Sequence, residues 1–518
     1  MADPYKIQAP YYPIVYVRGY AMTADEREET FNDAYYGFSA SSVEKRQATP
    51  DNGYQVADIF EGQMIRFMKI KDYGYADSVN YGLRDFHGDP SRSIWVCRFY
   101  DQDYIQGHIR KIEDHAADLA KLILVDIPAK LEQHGVTNIQ QDYKVILIAH
   151  SMGGLVCRTL LQNILQQSAD SLKKQFPNTN PNLYNALDKP LDLIHRLVTI
   201  ATPHKGIELG NIPSVIQRTV TNLLNPFDSS IFMEKRMRDY LKLPEDFDLH
   251  SLGNSNFPVK RCLSIIGSDY KDYNGVKYVT GGFSDGLVKQ SNAYIVSGKK
   301  TTGEYDEEHR AYFANVHRSH SGHRGIVNSY ETYENIQRFL FGDLKIRVSL
   351  NNLKITSKDN SDCFYDIEFS LSIRGTAVYL HRREQDLCEN AIRLNANAIP
   401  NDIHLHTAFL NSALQLGDDN YSYFLLKLKV QEYRPSKGLF WDTSYPASQI
   451  FSESVEIKID NGAGGTYKAG YRWLSDGAWN DLDADNNGQY ILPLLNGVTV
   501  NGNLVFSGEE WHAAGEAN

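Results

Sequence analysis

The feature that most constrains this chain is Ala149-His150-Ser151-Met152-Gly153-Gly154, set between the apolar run Lys144–Ile148 and the helix-like Leu155–Leu161. A buried strand that passes straight into a helix through a serine needs a strained backbone there, which pushes the hydroxyl out beyond the sheet. The residues two before and two after must be small so that strand and helix pass closely, and Ala149 and Gly153 meet that need. Alanine stands where the G-x-S-x-G pattern has its first glycine. The pattern nominates Ser151 as a nucleophile, against the plainer reading of a Gly-rich turn in an ordinary β-α unit.

The surroundings suit such a turn. Pro13–Val17, Ser93–Asp101, Leu193–Ala201 and Lys260–Gly267 read as short buried strands. Between them a helical stretch from about Arg110 to Leu131 carries apolar residues at Ile112, Ala116, Leu119, Leu122 and Ile123. Strands alternating with helices imply a parallel sheet covered on both faces. Two insertions interrupt the alternation, about 22–92, rich in aromatic residues, and about 210–257, with helix-like segments. Both leave from strand ends where ligands bind in open α/β sheets, which makes them lid-type candidates. After Gly342-Asp343 the texture changes to short alternating segments such as Phe364–Ile373 and Tyr421–Val430, separated by Asn, Asp and Gly clusters. The expected organisation is an α/β domain over 1–342 and a β-rich, sandwich-like accessory domain over 343–518, a division that suits a chain of 518 residues.

A serine hydroxyl becomes a useful nucleophile when a histidine takes its proton and a carboxylate orients that histidine. In Ser284-Asp285-Gly286-Leu287-Val288, Asp285 stands beyond the 260–267 strand and is the candidate acid; alone, an Asp-Gly pair reads as a turn. Three histidines, His317, His320 and His323, follow the apolar stretch Tyr312–Val316. His320, a few residues beyond the strand end, is taken as the base, with His323 as the alternate; His317 lies too close to the strand. Donors for the oxyanion are expected from the Met152 N–H, just after the nucleophile, and the Tyr20 N–H, in the loop after the first strand. In Ala201-Thr202-Pro203-His204-Lys205-Gly206, His204 is either a substrate-rim residue or a hydrogen-bonded structural histidine.

With the A-H-S-M-G-G elbow, the T-P-H-K-G loop, S-D-G-L-V and the His-rich stretch in this order, residues 10 to 342 resemble the α/β-hydrolase lipases and esterases. The chain is also similar to bacterial PGAP1-like hydrolases and type VI secretion lipase effectors, which add insertions and β domains to the same core. The resemblance implies an α/β-hydrolase core and a serine hydrolase cleaving fatty-acyl esters, as a lipase or phospholipase A, with no cofactor. Its rivals are a non-catalytic binding protein on the same fold and a small-ester esterase.

A net charge of −11 provides no basic face to displace counterions from nucleic acid phosphates. The expected partner is a lipid or acyl ester, with any membrane contact local and apolar. The start lacks the pattern of a signal peptide, and the five scattered cysteines suggest reduced thiols in a cytoplasm, with signal-independent export open. No zinc spacing occurs. Asp483, Asp485 and Asn487 match the first half of a calcium loop, but Leu494 holds the twelfth position, where a bidentate glutamate is needed; a polar hairpin turn is the favoured reading.

Overall fold

The computed structural model describes residues 5–19, 62–69, 73–75, 88–106, 110–207, 229–270, 283–301, 305–320, 325–356, 363–376, 378–414, 421–433, 447–460, 467–495 and 499–511. The chain divides into two compact units, Met1–Tyr312 with Arg318–Thr332, and Phe313–His317 with Tyr333–Asn518.

Strands β1 (Ile14–Val17), β2 (Ile94–Cys97), β3 (Val145–His150), β4 (Ile194–Ile200), β5 (Cys262–Gly267) and β6 (Tyr312–Val316) form one sheet in the order β2-β1-β3-β4-β5-β6 among the described residues. β1 pairs in parallel with β2 and β3, β3 with β4, and β4 with β5, with Val17 opposite both Cys97 and Ala149, and Ile148 opposite Val198. Val145, Ile146, Leu147 and Ile148 are fully buried, which explains the unbroken apolar run: a strand covered on both faces has no polar side. Each such side chain contributes roughly 1.5–3 kcal/mol by leaving water. As an inner strand, β3 delivers Ser151 at its carboxyl end, the end where open α/β sheets bind ligands.

The expected helix near 110–131 is Ile112–Lys121, a π-helical segment Leu122–Asp126, and helix Ile127–Gln133. Pro128 has no N–H to offer the carbonyl of Leu124, four residues earlier. That carbonyl instead accepts from the Asn180 N–H at 3.1 Å. The strand expected over 93–101 is shorter, because the chain turns into helix Phe99–Gln106. Of the first insertion, helix Gln63–Lys69 is described; buried Gln63 donates to the Val327 carbonyl and accepts from the Tyr16 hydroxyl. The aromatic-rich 22–61 and the helix-like 215–224 lie outside the described residues, so the two lid-type insertions are described only in part.

Beyond residue 343 the described chain is nearly all strand. β7 (Leu344–Ile355), β11 (Asp402–Leu410), β16 (Gln489–Pro493) and β17 (Val500–Glu510) make one antiparallel sheet. A second is built from β8 (Phe364–Ile373), β9 (Tyr379–Arg383), β10 (Ile392–Asn395), β12 (Tyr421–Tyr433), β13 (Ala447–Asp460), β14 (Ala469–Trp473) and β15 (Asn480–Leu482). Val348, Leu405, Phe369, Leu426 and Phe506, drawn from both sheets, share one core, with the Phe424 and Phe506 rings meeting edge to face. This is a β-sandwich core. No described helix is long and apolar enough to cross a membrane.

Candidate active site

Ser151 joins β3 to helix Met152–Gln162 with φ 53° and ψ −127°, a conformation that non-glycine residues avoid at a cost of about 1–3 kcal/mol. The surrounding structure holds it there: the Ser151 N–H donates to the Ile200 carbonyl at 2.9 Å, and the Gly154 N–H donates to the Ser151 carbonyl at 3.0 Å. Two glycines let the helix come this close. A Cβ on Gly153 would lie 2.2 Å from the Val17 carbonyl oxygen, and one on Gly154 would lie 2.2 Å from Thr202 Oγ1. Met152 opens the helix, so its N–H has no acceptor within the helix ladder.

His320 and Asp285, in two separate loops, meet this serine. His320 Nε2 lies 3.0 Å from Ser151 Oγ, and His320 Nδ1 lies 3.0 Å from Asp285 Oδ2. A carboxylate can only accept, so Nδ1 carries the proton and Nε2 presents its lone pair to the serine hydroxyl. Asp285 is held in turn. Its Oδ1 accepts from the N–H groups of Leu287 at 3.0 Å and Val288 at 2.7 Å, and its main-chain carbonyl accepts from the His320 N–H at 2.9 Å. Ser151, Asp285 and His320 are all buried, so these bonds lie where water competes little.

The other candidates fall elsewhere. Tyr20 and His323 lie outside the described residues. His317 is at the end of β6, with Nδ1 3.8 Å from Cys388 Sγ. His204 sits in the interior and not on a substrate rim. Its ring is fully buried, with Nε2 3.1 Å from Thr199 Oγ1, and burial with the nearby Arg158 cation holds its pKa well below the ordinary histidine value. Ala201, three residues earlier, adopts φ 49°. The calcium-loop candidates form a hairpin turn: Asp485 Oδ1 accepts from the N–H groups of Asn487 and Gln489, and Gly488 takes φ 74°. Among the described residues no group of three or more His, Cys, Asp or Glu side chains is arranged to hold a metal ion.

Two residues of the nucleophile segment were not singled out from the sequence. His150 places Nε2 3.2 Å from the His320 carbonyl oxygen, a contact hidden in sequence because the partners are 170 residues apart. Arg158, on the helix after Ser151, is completely buried, and its described hydrogen bonds go to neutral acceptors: Gln162 Oε1 and the carbonyls of His204, Leu249 and Ser251. Burial lowers its pKa to about 10. The guanidinium ties the elbow helix to the 201–206 loop and the 249–251 segment.

The parallel sheet, the strained serine between β3 and its helix, and the succession of serine, acid and histidine along the chain define an α/β-hydrolase core with an added β-sandwich. No protein-family model matches the chain, and no curated protein matches it. Among solved structures it is similar to the mature lipase BlEst2 of Bacillus licheniformis, at 14% identity over 64% of this chain and 93% of that one, with TM-score 0.31. It is also similar to phospholipase PlaB from Legionella pneumophila, at 12% identity over 85% of this chain and 91% of that one, with TM-score 0.29. The lipase of Staphylococcus hyicus shows 15% identity over 64% and 94%, with TM-score 0.27. The fold class rests on the topology and the elbow, not on these distant likenesses.

Proposed function

We propose that this chain is a serine hydrolase cleaving fatty-acyl esters of lipids, of lipase or phospholipase A type. The observation that carries the reading is the continuous chain from Ser151 Oγ through His320 to Asp285, with both links at 3.0 Å. In the reaction, Ser151 Oγ attacks the acyl carbonyl carbon while His320 Nε2 takes the hydroxyl proton. The charge on the resulting imidazolium is balanced by Asp285. The oxyanion accepts the Met152 N–H and, from its place in the chain, the Tyr20 N–H; each such donor is worth about 10²–10³ in rate. Collapse breaks the ester C–O bond, and His320 returns the proton to the departing alcohol. Water, deprotonated by the same ring, then releases the fatty acid and restores Ser151.

The ester chemistry is supported by the triad geometry, and the acyl-lipid class by the resemblance of the four motifs to lipases. The test is incubation of the full chain with vesicles of phosphatidylcholine, and separately with emulsified triacylglycerol, followed by mass spectrometry of the lipids. Free fatty acid should appear with the parent protein and be absent with Ser151→Ala. Intact lipids alongside turnover of short-chain esters would move the assignment to a small-ester esterase; fatty acid release by Ser151→Ala would remove the mechanism.

A further inference from the structure

We propose that His150 is a positioning residue for His320, holding the main-chain carbonyl of the base and thereby fixing the ring that faces Ser151 Oγ. The inference rests on the triad reading and deepens it.

The loop carrying His320 is pinned at three consecutive carbonyls. That of Arg318 accepts from the Asp269 N–H at 3.1 Å, and that of Ser319 from the Ile326 N–H at 2.8 Å. The third, on His320 itself, meets the side chain of His150, with Nε2 at 3.2 Å. Two of the three supports are therefore main chain, which any sequence supplies, while the one nearest the reacting ring depends on the identity of residue 150. His320 is thus held at four points: Nε2 on Ser151, Nδ1 on Asp285, its N–H on the Asp285 carbonyl, and its carbonyl on His150. Only the last lies outside the triad.

The same ring suits its place electrostatically. A carbonyl can only accept, so His150 carries its proton on Nε2 and turns Nδ1 toward Gly19, where an added Cβ would sit 3.2 Å away. The His150 and His320 rings are 5.0 Å apart, centre to centre. Burial first, and then the neighbouring His320 ring and the Arg18 cation, hold the His150 pKa well below the ordinary histidine value, outweighing the opposite pull of its hydrogen bond to the His320 carbonyl. It therefore stays neutral and places no cation beside the imidazolium that forms on His320.

The test uses the full chain with p-nitrophenyl butyrate, in His150→Phe, which keeps the ring volume and removes the donor, and His150→Gln, which restores an N–H. Loss of one positioning hydrogen bond should lower kcat of His150→Phe about tenfold with KM changed less than about twofold, and His150→Gln should recover most of it. Parent-like kcat in His150→Phe, a loss confined to KM, or failure of both variants to give a cooperative melt would overturn the positioning role. Absence of turnover by the parent, or turnover undiminished in Ser151→Ala, would instead remove the triad reading on which it stands.

Discussion

Replacing Asp285 by asparagine puts the most exacting demand on the geometry. Asp285 Oδ1 accepts two main-chain N–H groups, from Leu287 and Val288, while Oδ2 faces His320 Nδ1. An asparagine there keeps its carbonyl oxygen on the two N–H groups, so its NH₂ points at Nδ1. A donor opposite Nδ1 forces the ring proton onto Nε2, where it opposes the Ser151 hydroxyl instead of accepting from it. Turning the amide over would restore the working tautomer but would strand the buried Val288 N–H and the part-buried Leu287 N–H, where a buried unpaired donor costs about 1–3 kcal/mol. At the lower end, about 2 kcal/mol in all, only about 3% of molecules would hold the productive orientation. Loss of the carboxylate charge lowers the rate of that fraction further, toward the roughly 10⁴-fold deficit that a wrong tautomer produces, or about 5.5 kcal/mol in the barrier. Because both N–H bonds survive, the variant should melt within a few degrees of the parent. The assay is kcat on p-nitrophenyl butyrate beside a thermal melt. A well-folded Asp285→Asn protein retaining a tenth or more of the parent kcat would refute the reasoning.

Gly153→Ala should destabilise the unit that carries Ser151 by at least about 2 kcal/mol, since the new Cβ meets the Val17 and Arg18 carbonyls, which are main chain and cannot swing away; a parent-like unfolding midpoint would contradict this. His250, buried against Tyr294 and Tyr305, has its pKa lowered to about 3, chiefly by burial and then by Lys205. Its folded value lies below its unfolded one, so the stability it allows is present above about pH 6.5 and is lost as the pH falls toward 3. At pH 5 the loss is about 2 kcal/mol. His250→Phe should shed that much of the difference between urea unfolding at pH 7.5 and at pH 5, and an unchanged acid dependence would count against the assignment.

Much of the frame was legible because it depends on local pattern. The apolar run before Ser151 and the small residues around it give the strand, the turn and the helix. The alternation in Phe364–Ile373 coincides with β8 from end to end. What escaped depends on partners far away in sequence. The break in the helix near Pro128 is completed by Asn180, and the inward course of the loop bearing His204 by Thr199 and the carbonyl grip of Arg158. At the site, chain order singled out Asp285 and distance past the strand end favoured His320 over His323, whereas the contacts that carry the His320 ring to the serine depend on where the loop folds back. There the His320 N–H meets the Asp285 carbonyl and the ring is carried to Ser151. His150 was in view inside the motif, yet its role cannot be read without the loop that passes over it.

The central claim is that Ser151 is an activated nucleophile, and covalent labelling tests it without assuming a substrate. Incubation of the full chain with a fluorophosphonate, followed by intact-mass and peptide mass spectrometry, should give one adduct on the peptide containing Ser151. That adduct should vanish in Ser151→Ala and form at least about 100-fold more slowly in His320→Ala. No adduct on the folded parent protein, or a Ser151 adduct forming at the same rate without the His320 imidazole, would contradict it.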